Sequence, residues 1–128
     1  MDLSNENVVH VKGNGIEYLQ FRRLLAYKDI INHAYSVGID KNFRTDNLAH
    51  NLTIEQKNKA INDYIDLTKA INSDYRRIIK APQMHTNVVQ CIEEKENNEQ
   101  PGISLEKLKD TDGLVTDKPE IMLTTTNA

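Results

Sequence analysis

Residues 53–72 read TIEQKNKAINDYIDLTKAIN, the clearest periodic pattern in the chain. Thr53 is a suitable N-cap, and Gln56 three positions later completes a capping box that begins a helix at Ile54. Small or apolar side chains recur at spacings of three and four, which indicates a helix that packs through one face. They are Ile54, Ala60, Ile61, Tyr64, Ile65, Thr68 and Ile71. The opposite faces are predicted to carry Asn58, Lys59, Asn62, Asp63, Asp66 and Lys69. The pattern therefore predicts a helix over residues 54–72 that packs on a sheet through its isoleucines.

Segments rich in β-forming residues lie on both sides of this helix. Residues 8–11 and 16–21 flank the turn Gly13-Asn14-Gly15 and predict a hairpin. Further strands are predicted at residues 30–36, 77–81, 87–92, 112–116 and 121–126, one helical turn at residues 104–108, and long loops at residues 37–51 and 93–102. Several strands with one long helix predict an α+β fold in which mixed β-sheets have helices packed outside.

The last predicted strand runs directly into Ala128, without a polar tail or a glycine. The apolar fraction is 38%, whereas about 45–50% (counting glycine) is usual for a globular domain. Both features predict that residues 1–128 are part of one incomplete domain. An exposed sheet edge where further strands should pair would favour self-association.

Composition limits the class of protein. The net charge of −3, without a basic cluster, gives no electrostatic reason to expect nucleic acid. One cysteine excludes an internal disulfide framework and fits a reducing compartment. No signal peptide and no apolar run long enough to span a membrane is visible, so we expect a cytoplasmic protein.

His85 is the best candidate for chemistry. It follows Pro82 in a loop between two predicted strands, where an imidazole can bind zinc or act as a base. The alternative is an exposed loop histidine that makes one backbone hydrogen bond. The other three histidines share no motif with it and are expected to be surface or strand-edge residues: His10, His33 and His50.

The remaining candidates have simpler interpretations. Cys91 is expected to be buried and inert, because nothing in the sequence supplies the base that a nucleophilic thiol needs. The carboxylates of Glu93, Glu94, Glu96 and Glu99 are expected to form a solvated loop face. Asp112-Gly113 either makes a turn or presents a carboxylate near a cleft. The phosphate-binding patterns GxGxxG and GxxxxGK[ST] are absent.

Four segments resemble, in order and spacing, the N-terminal half of the bacterial laccase-domain family. They are Asn32-His33-Ala34-Tyr35-Ser36, then Lys80-Ala81-Pro82-Gln83-Met84-His85-Thr86-Asn87-Val88-Val89, then Asp112-Gly113-Leu114-Val115-Thr116-Asp117, and last Leu123-Thr124-Thr125-Thr126-Asn127-Ala128. The family was formerly called multicopper polyphenol oxidoreductase and is now regarded as zinc-dependent purine nucleoside phosphorylases. The resemblance covers most of the chain from about residue 30.

The resemblance implies a zinc site made of histidine, cysteine and histidine. His85, in the Gln-x-His motif, matches the first ligand, whereas the family's cysteine belongs to an Ala-Asp-Cys motif whose alanine is Ala128 here. Cys91 is therefore not that ligand. The implied substrates are a purine nucleoside and phosphate: phosphorolysis of adenosine, inosine and methylthioadenosine, with deamination of adenosine. With one ligand in place, residues 1–128 alone are expected to be inactive.

The chain departs from the family in one segment. Many members carry Thr-Arg-x-Gly-Gly-Val-Ser after the first strands, whereas this chain has Val37-Gly38-Ile39-Asp40-Lys41-Asn42-Phe43-Arg44-Thr45. Arg44 is the candidate phosphate contact there. Two other functions stay open, a copper-dependent polyphenol oxidase and a non-catalytic binding module. The first needs many histidines and the chain has four, which argues against it.

Overall fold

The described chain folds into three small β-sheets and one long helix. The structure is a computed structural model, and it describes residues 1–13, 15–37, 41, 43, 52–95 and 106–125. The elements in chain order are β1 (Val8–Gly13), β2 (Ile16–Phe21), α1 (Arg22–Leu25), β3 (Tyr35–Val37), α2 (Ile54–Ala70), a 3₁₀ turn (Tyr75–Arg77), β4 (Ile78–Lys80), β5 (Val89–Cys91), a 3₁₀ turn (Glu106–Leu108), β6 (Gly113–Val115) and β7 (Met122–Thr124).

The described sheets include one antiparallel sheet and two parallel ones. Strands β1, β2 and β3 form an antiparallel sheet in that order, and the β1–β2 hairpin is the predicted one. Strand β4 pairs in parallel with β7, and β5 pairs in parallel with β6. The fold class is therefore α+β with mixed sheets, as the sequence predicted.

Helix α2 begins at the predicted capping box. The Thr53 hydroxyl accepts a hydrogen bond from the Gln56 amide at 3.2 Å, and the Gln56 side chain accepts one from the Thr53 amide at 2.9 Å. The helix ends at Ala70, two residues before the predicted end. Asn72 there has a φ of 54°, and the Ser73 amide returns to the Thr68 carbonyl at 2.8 Å.

The packing face of α2 is the predicted one over most of its length. Ala60, Tyr64, Thr68 and Ile71 are buried, whereas Ile61 and Ile65 are only partly buried and Ile54 is 77% exposed. The helix packs on β2 through Ile71 and through Leu67, which the sequence had not placed on this face.

Asp63, predicted on an outer face, is 4% exposed. Its carboxylate binds the ammonium groups of Lys41 and Lys59, each at 3.0 Å. Lys41 comes from the segment after β3, and no periodicity within the helix could show that this segment covers Asp63.

The third strand is shorter than predicted. Residues 30–36 were expected to be extended, but only Tyr35–Val37 pairs with β2. The amides of Ile30 and Ile31 both bond to the Tyr27 carbonyl in a turn, and Ile30 is 82% exposed. The His33 ring then ends the ladder, because its Nε2 accepts the Phe21 amide at 2.6 Å.

Two hydrophobic clusters form the core, and β7 contributes to both. The first joins Ile16, Tyr18, Leu67 and Ile71, with Met122 packed against it. The second joins Ile79, Ile92 and Leu108, with Leu123 packed against it. Successive side chains of a strand point to opposite faces, so adjacent residues of β7 reach the two clusters.

Within the described ranges, no helix has both the length and the apolar character that crossing a bilayer requires.

The buried carboxylate of Asp63 gives a test of the packing of α2. We expect Asp63→Asn to lower the free energy of unfolding by about 1–3 kcal/mol, because the lysine charges lose their partner in a half-buried place. Urea denaturation measures this change. Asp66→Asn, on an exposed position of the same helix, is the matched control and should cost less than about 0.5 kcal/mol. Equal effects of the two substitutions would contradict the assigned ion pairs.

The neutral ring of His33 predicts a pH dependence of stability. Burial lowers the pKa of His33 below its ordinary value of 6.5, and the bond that its Nε2 accepts from the Phe21 amide likewise requires the neutral ring. The unfolded chain therefore takes up this proton more readily than the folded chain. The contribution of the neutral His33 ring to the free energy of unfolding is present above about pH 6.5, and it is lost as the pH falls through the pKa of His33 in the folded chain.

Urea denaturation at several pH values checks this expectation. His33→Gln supplies an amide oxygen that can accept the Phe21 amide and does not titrate. Its stability should fall less than that of the natural chain on going from neutral to mildly acid pH. Parallel pH curves for the two proteins would show that His33 carries none of the dependence.

Candidate functional site

The loop that carries His85 begins at an edge shared by two parallel strands. In the β4–β7 register, Lys80 is the partner of Thr124, so both strands end at the same level. The chain leaves β4 into residues 81–88 and leaves β7 into Thr125 at this edge. The carboxyl edge of parallel strands is a frequent location of binding sites in α/β sheets.

Asp112, at the start of β6, holds the His85 loop by its backbone. Its Oδ1 accepts the His85 amide at 2.9 Å, and its Oδ2 accepts both the amide and the hydroxyl of Thr86. The Thr86 hydroxyl oxygen also lies 2.9 Å from the Asp110 carbonyl, so its single proton is shared between that carbonyl and Asp112, and it accepts the Val88 amide at 3.2 Å. These bonds fix the backbone on which the imidazole is mounted.

The second support of the loop is the start of the β5–β6 pairing. The amides of Asp112 and Gly113 both donate to the Val88 carbonyl, at 3.0 and 3.1 Å. A Cβ on Gly113 would lie 2.9 Å from a methyl carbon of Val89, so glycine allows this close approach. Asp112 lies at a bend directly before β6, and its carboxylate supports the His85 loop. It does not line the cleft described below, so neither the simple turn nor the carboxylate near a cleft matches its role.

The charge on Asp112 suits this role. Hydrogen bonding by the Thr86 hydroxyl, supported by the amides of Thr86 and His85, lowers the pKa of Asp112 below its ordinary value of 3.8, against the effect of desolvation. An ionised carboxylate accepts all three bonds without a donor of its own.

The backbone of the loop is strained at two positions. Gln83 and His85 have φ values of 57° and 61°, in the left-handed region that favours glycine. The Gln83 amide bonds to the Thr111 carbonyl at 3.3 Å. Strained residues that neighbouring contacts hold in place are common where a side chain must be presented.

The His85 side chain is exposed, and its imidazole makes no hydrogen bond within the described part of the chain. It can therefore accept an external partner. Among the residues that the structure describes, however, no group of three or more histidine, cysteine, aspartate or glutamate side chains could hold a metal ion. Catalytic zinc takes three protein ligands. The described residues thus offer one zinc ligand, and they do not form a zinc site by themselves.

Cys91 is exposed, which overturns the expectation of a buried thiol. The predicted alternation along this segment is confirmed, but the other face is the buried one: Ile92 is 4% exposed and Val89 is 65% exposed. Which face of this strand is buried depends on where the second hydrophobic cluster packs. Residues that are close in the sequence do not determine that position. Glu93 and Glu94 are exposed, as expected for a solvated loop.

The other histidines are separate from His85. His33 lies against the end of β2, stacked on the Phe21 ring with centroids 5.9 Å apart. His10 lies on β1, an edge strand of its sheet among the described residues, which agrees with the strand-edge expectation, and its side chain is 2% exposed. His50, Glu96, Glu99, Arg44 and Ala128 lie outside the described residues.

A cleft of about 1340 Å³ is lined in part by the residues of β7, and no residue of β4 lines it. It is lined by β3, by the apolar face of α2 and by residues 116–125, and charged residues such as Arg77 and Lys118 border it. Three of the four segments that resemble the laccase-domain family border this cleft. The His85 segment does not.

The chain was compared with family models, with curated proteins and with solved structures, and none of them matched.

One residue that the sequence did not single out is Thr111. It is fully buried, and its hydroxyl has no hydrogen-bond partner among the described residues. It lies between Leu108, whose carbonyl its amide contacts at 3.0 Å, and Asp112. A lone threonine before Asp-Gly carries no recognisable pattern, so only the tertiary structure could reveal its burial.

The Asp112 contacts can be tested by hydrogen exchange. We expect Asp112→Asn to reduce the protection of the His85 and Thr86 amides severalfold, because the carboxamide nitrogen cannot accept a hydrogen bond. Amide exchange followed by NMR measures this directly. Asp110→Asn is the control, since the loop uses the carbonyl of Asp110 and not its side chain. Unchanged protection in Asp112→Asn would refute the anchoring role.

Proposed function

We propose that this chain contributes His85 as one zinc ligand to a zinc-dependent enzyme similar to purine nucleoside phosphorylases. The observation that carries the proposal is the β4–β7 register. It brings the start of the His85 loop to the edge at which β7 ends. The resemblance assigns the cysteine ligand to the residues that follow this same strand, after Ala128. Two ligand segments would then meet at one edge.

The His85 loop supports the same proposal. Two of its backbone amides and the Thr86 hydroxyl donate hydrogen bonds to Asp112, while the His85 ring has no partner in the described chain. Zinc ligands are generally side chains whose backbone is held firmly, because a preformed geometry reduces the entropy lost on binding.

The chemistry follows from the proposed ligand. When bound, zinc lowers the pKa of a coordinated water towards neutrality, which suits deamination of adenosine. For phosphorolysis, phosphate attacks the anomeric carbon of the ribose and the purine leaves. Catalysis of this step depends mainly on positioning the two reactants and on neutralising their charge. The role of this chain is to present the Nε2 or Nδ1 atom of His85 at a fixed place. The proposed site of action is the cytoplasm, as the sequence suggested.

The isolated chain of 128 residues is expected to have no inosine phosphorolysis activity, because one imidazole cannot hold zinc against water and competing ligands. A coupled assay of purine release with added zinc and phosphate tests this. His85→Asn serves as the control for any residual signal. Turnover that disappears in His85→Asn would overturn the expectation of inactivity.

Zinc titration followed by NMR tests the ligand separately. We expect weak binding, with the largest shifts at the His85 ring, and loss of those shifts in His85→Asn. Zinc shifts that survive in His85→Asn would refute the ligand assignment, whatever the assay shows.

The cleft favours a second candidate, a non-catalytic binding module. Its volume of about 1340 Å³ exceeds the roughly 300–1,000 Å³ typical of small-molecule sites. Strand β3 and strand β7 both line it, and each is paired on one side within the described residues. Such a cleft suits a polypeptide segment. Soaking or titration with inosine distinguishes the candidates, since a binding module of this kind has no reason to retain a nucleoside.

A further inference from the structure

Two strand edges border the large cleft. Strand β3 pairs only with β2, and β7 pairs only with β4, among the described residues. Residues of both strands line the cleft. A strand with a single neighbour directs half of its backbone N–H and C=O groups away from that neighbour, and such an edge accepts an added strand. The cleft therefore offers backbone partners as well as volume.

The cleft also has an apolar side. Tyr64, Leu67 and Ile71, from α2 and the residue after it, line the cleft, and Met122 of β7 packs against the same cluster. Alternate side chains of a strand point to the same face. A segment that continued the sheet beside β7 would therefore turn every second side chain towards α2. These side chains should be apolar.

Charged side chains in the cleft give a third constraint. Within the described residues, the ionised side chains that line the cleft are paired, with one exception. The pairs are Asp74 with Arg76, Asp117 with Lys118, Glu120 with Lys95, and Lys41 with Asp63. The exception is Arg77, whose guanidinium makes no hydrogen bond or ion pair there.

Arg77 lies at the end of the cleft where β7 begins. It directly precedes Ile78 of β4, and Ile78 is the partner of Met122, the first residue of β7. Its side chain is partly buried. A guanidinium in such a place is best satisfied by a carboxylate, which accepts two parallel hydrogen bonds from it. Asp74 and Glu120 interact with its charge across space, but neither is bonded to it.

We propose that this cleft binds an extended peptide segment that pairs with the free edge of β7. The segment has apolar residues at alternate positions, facing α2, and a carboxylate near one end that binds Arg77. The inference rests on the second candidate function, the binding module, and adds the chemistry of its ligand. It involves neither His85 nor zinc.

Peptide selection on the natural 128-residue chain tests the proposal. A displayed library of random short peptides should yield sequences with alternating apolar residues and an aspartate or glutamate near one end. Fluorescence anisotropy then measures the affinity of synthetic copies. Replacing the acidic residue with its amide should weaken binding about tenfold.

The backbone of the same peptides reports on strand pairing. Every second N–H group of a paired strand faces its neighbour. N-methylation of one alternate set of residues should therefore abolish binding, whereas N-methylation of the other set should leave it unchanged. In NMR exchange measurements, the bound peptide should slow the exchange of at least one amide within Met122–Thr124.

Substitutions of the protein test the anchor. Arg77→Gln should weaken binding of the acidic peptide about tenfold. Arg77→Glu should also weaken it, and a peptide with lysine in place of the acid should then recover affinity. Arg23→Glu is the matched control, since Arg23 is exposed and does not line the cleft. It should bind the acidic peptide as the natural chain does, and so should His85→Asn.

The outcomes separate the parts of the proposal. Enriched peptides without an acidic residue, or equal affinity of the natural chain and Arg77→Gln, would overturn the anchor and leave the binding module in place. Slowed exchange confined to β3 would overturn the assignment to β7. A library that yields no binding peptide, or peptides that tolerate N-methylation at every position, would overturn both the inference and the binding module. Zinc titration at His85 tests the enzyme proposal separately from all of these results.

Discussion

The parallel pairing of β7 with β4 is the constraint on which the rest of the described structure depends. Strand β7 carries Met122 towards the cluster built by the hairpin and α2, and Leu123 towards the cluster built around β4 and β5. Adjacent side chains of a strand point in opposite directions, so one short strand can join two small cores. The same pairing sets the level at which the His85 loop leaves the sheet.

Besides the two small hydrophobic clusters, contacts to ionised carboxylates hold distant segments of the chain together. Asp112 gathers the amides of His85 and Thr86, and Asp63 gathers two lysines against α2. Each acidic group connects segments that are distant in the sequence. Each is also placed where a neutral substitute would leave donors or charges without a partner. Hydrogen bonds to an ionised carboxylate are stronger than those between neutral groups, which is why single residues can serve this purpose.

The histidines show how environment separates residues of one type. His85 presents a free ring on a fixed backbone. His33 uses Nε2 to accept a backbone amide, and His10 uses both nitrogens inside the fold. The proposed zinc role therefore falls on the one described histidine whose ring has no hydrogen bond in the described chain.

Local patterns in the sequence by themselves determined the capping box of α2, the hairpin of β1 and β2, and the positions of the later strands. Each of these depends on residues a few positions apart, whose propensities and hydrogen bonds act over one or two turns. Only the tertiary structure decided that Asp63 and the His10 ring are buried, that Cys91 is exposed, and that β4 pairs with β7. Burial depends on which distant segment covers a residue, and the pairing of parallel strands is chosen by contacts between distant parts of the chain. A short-range pattern carries neither kind of information.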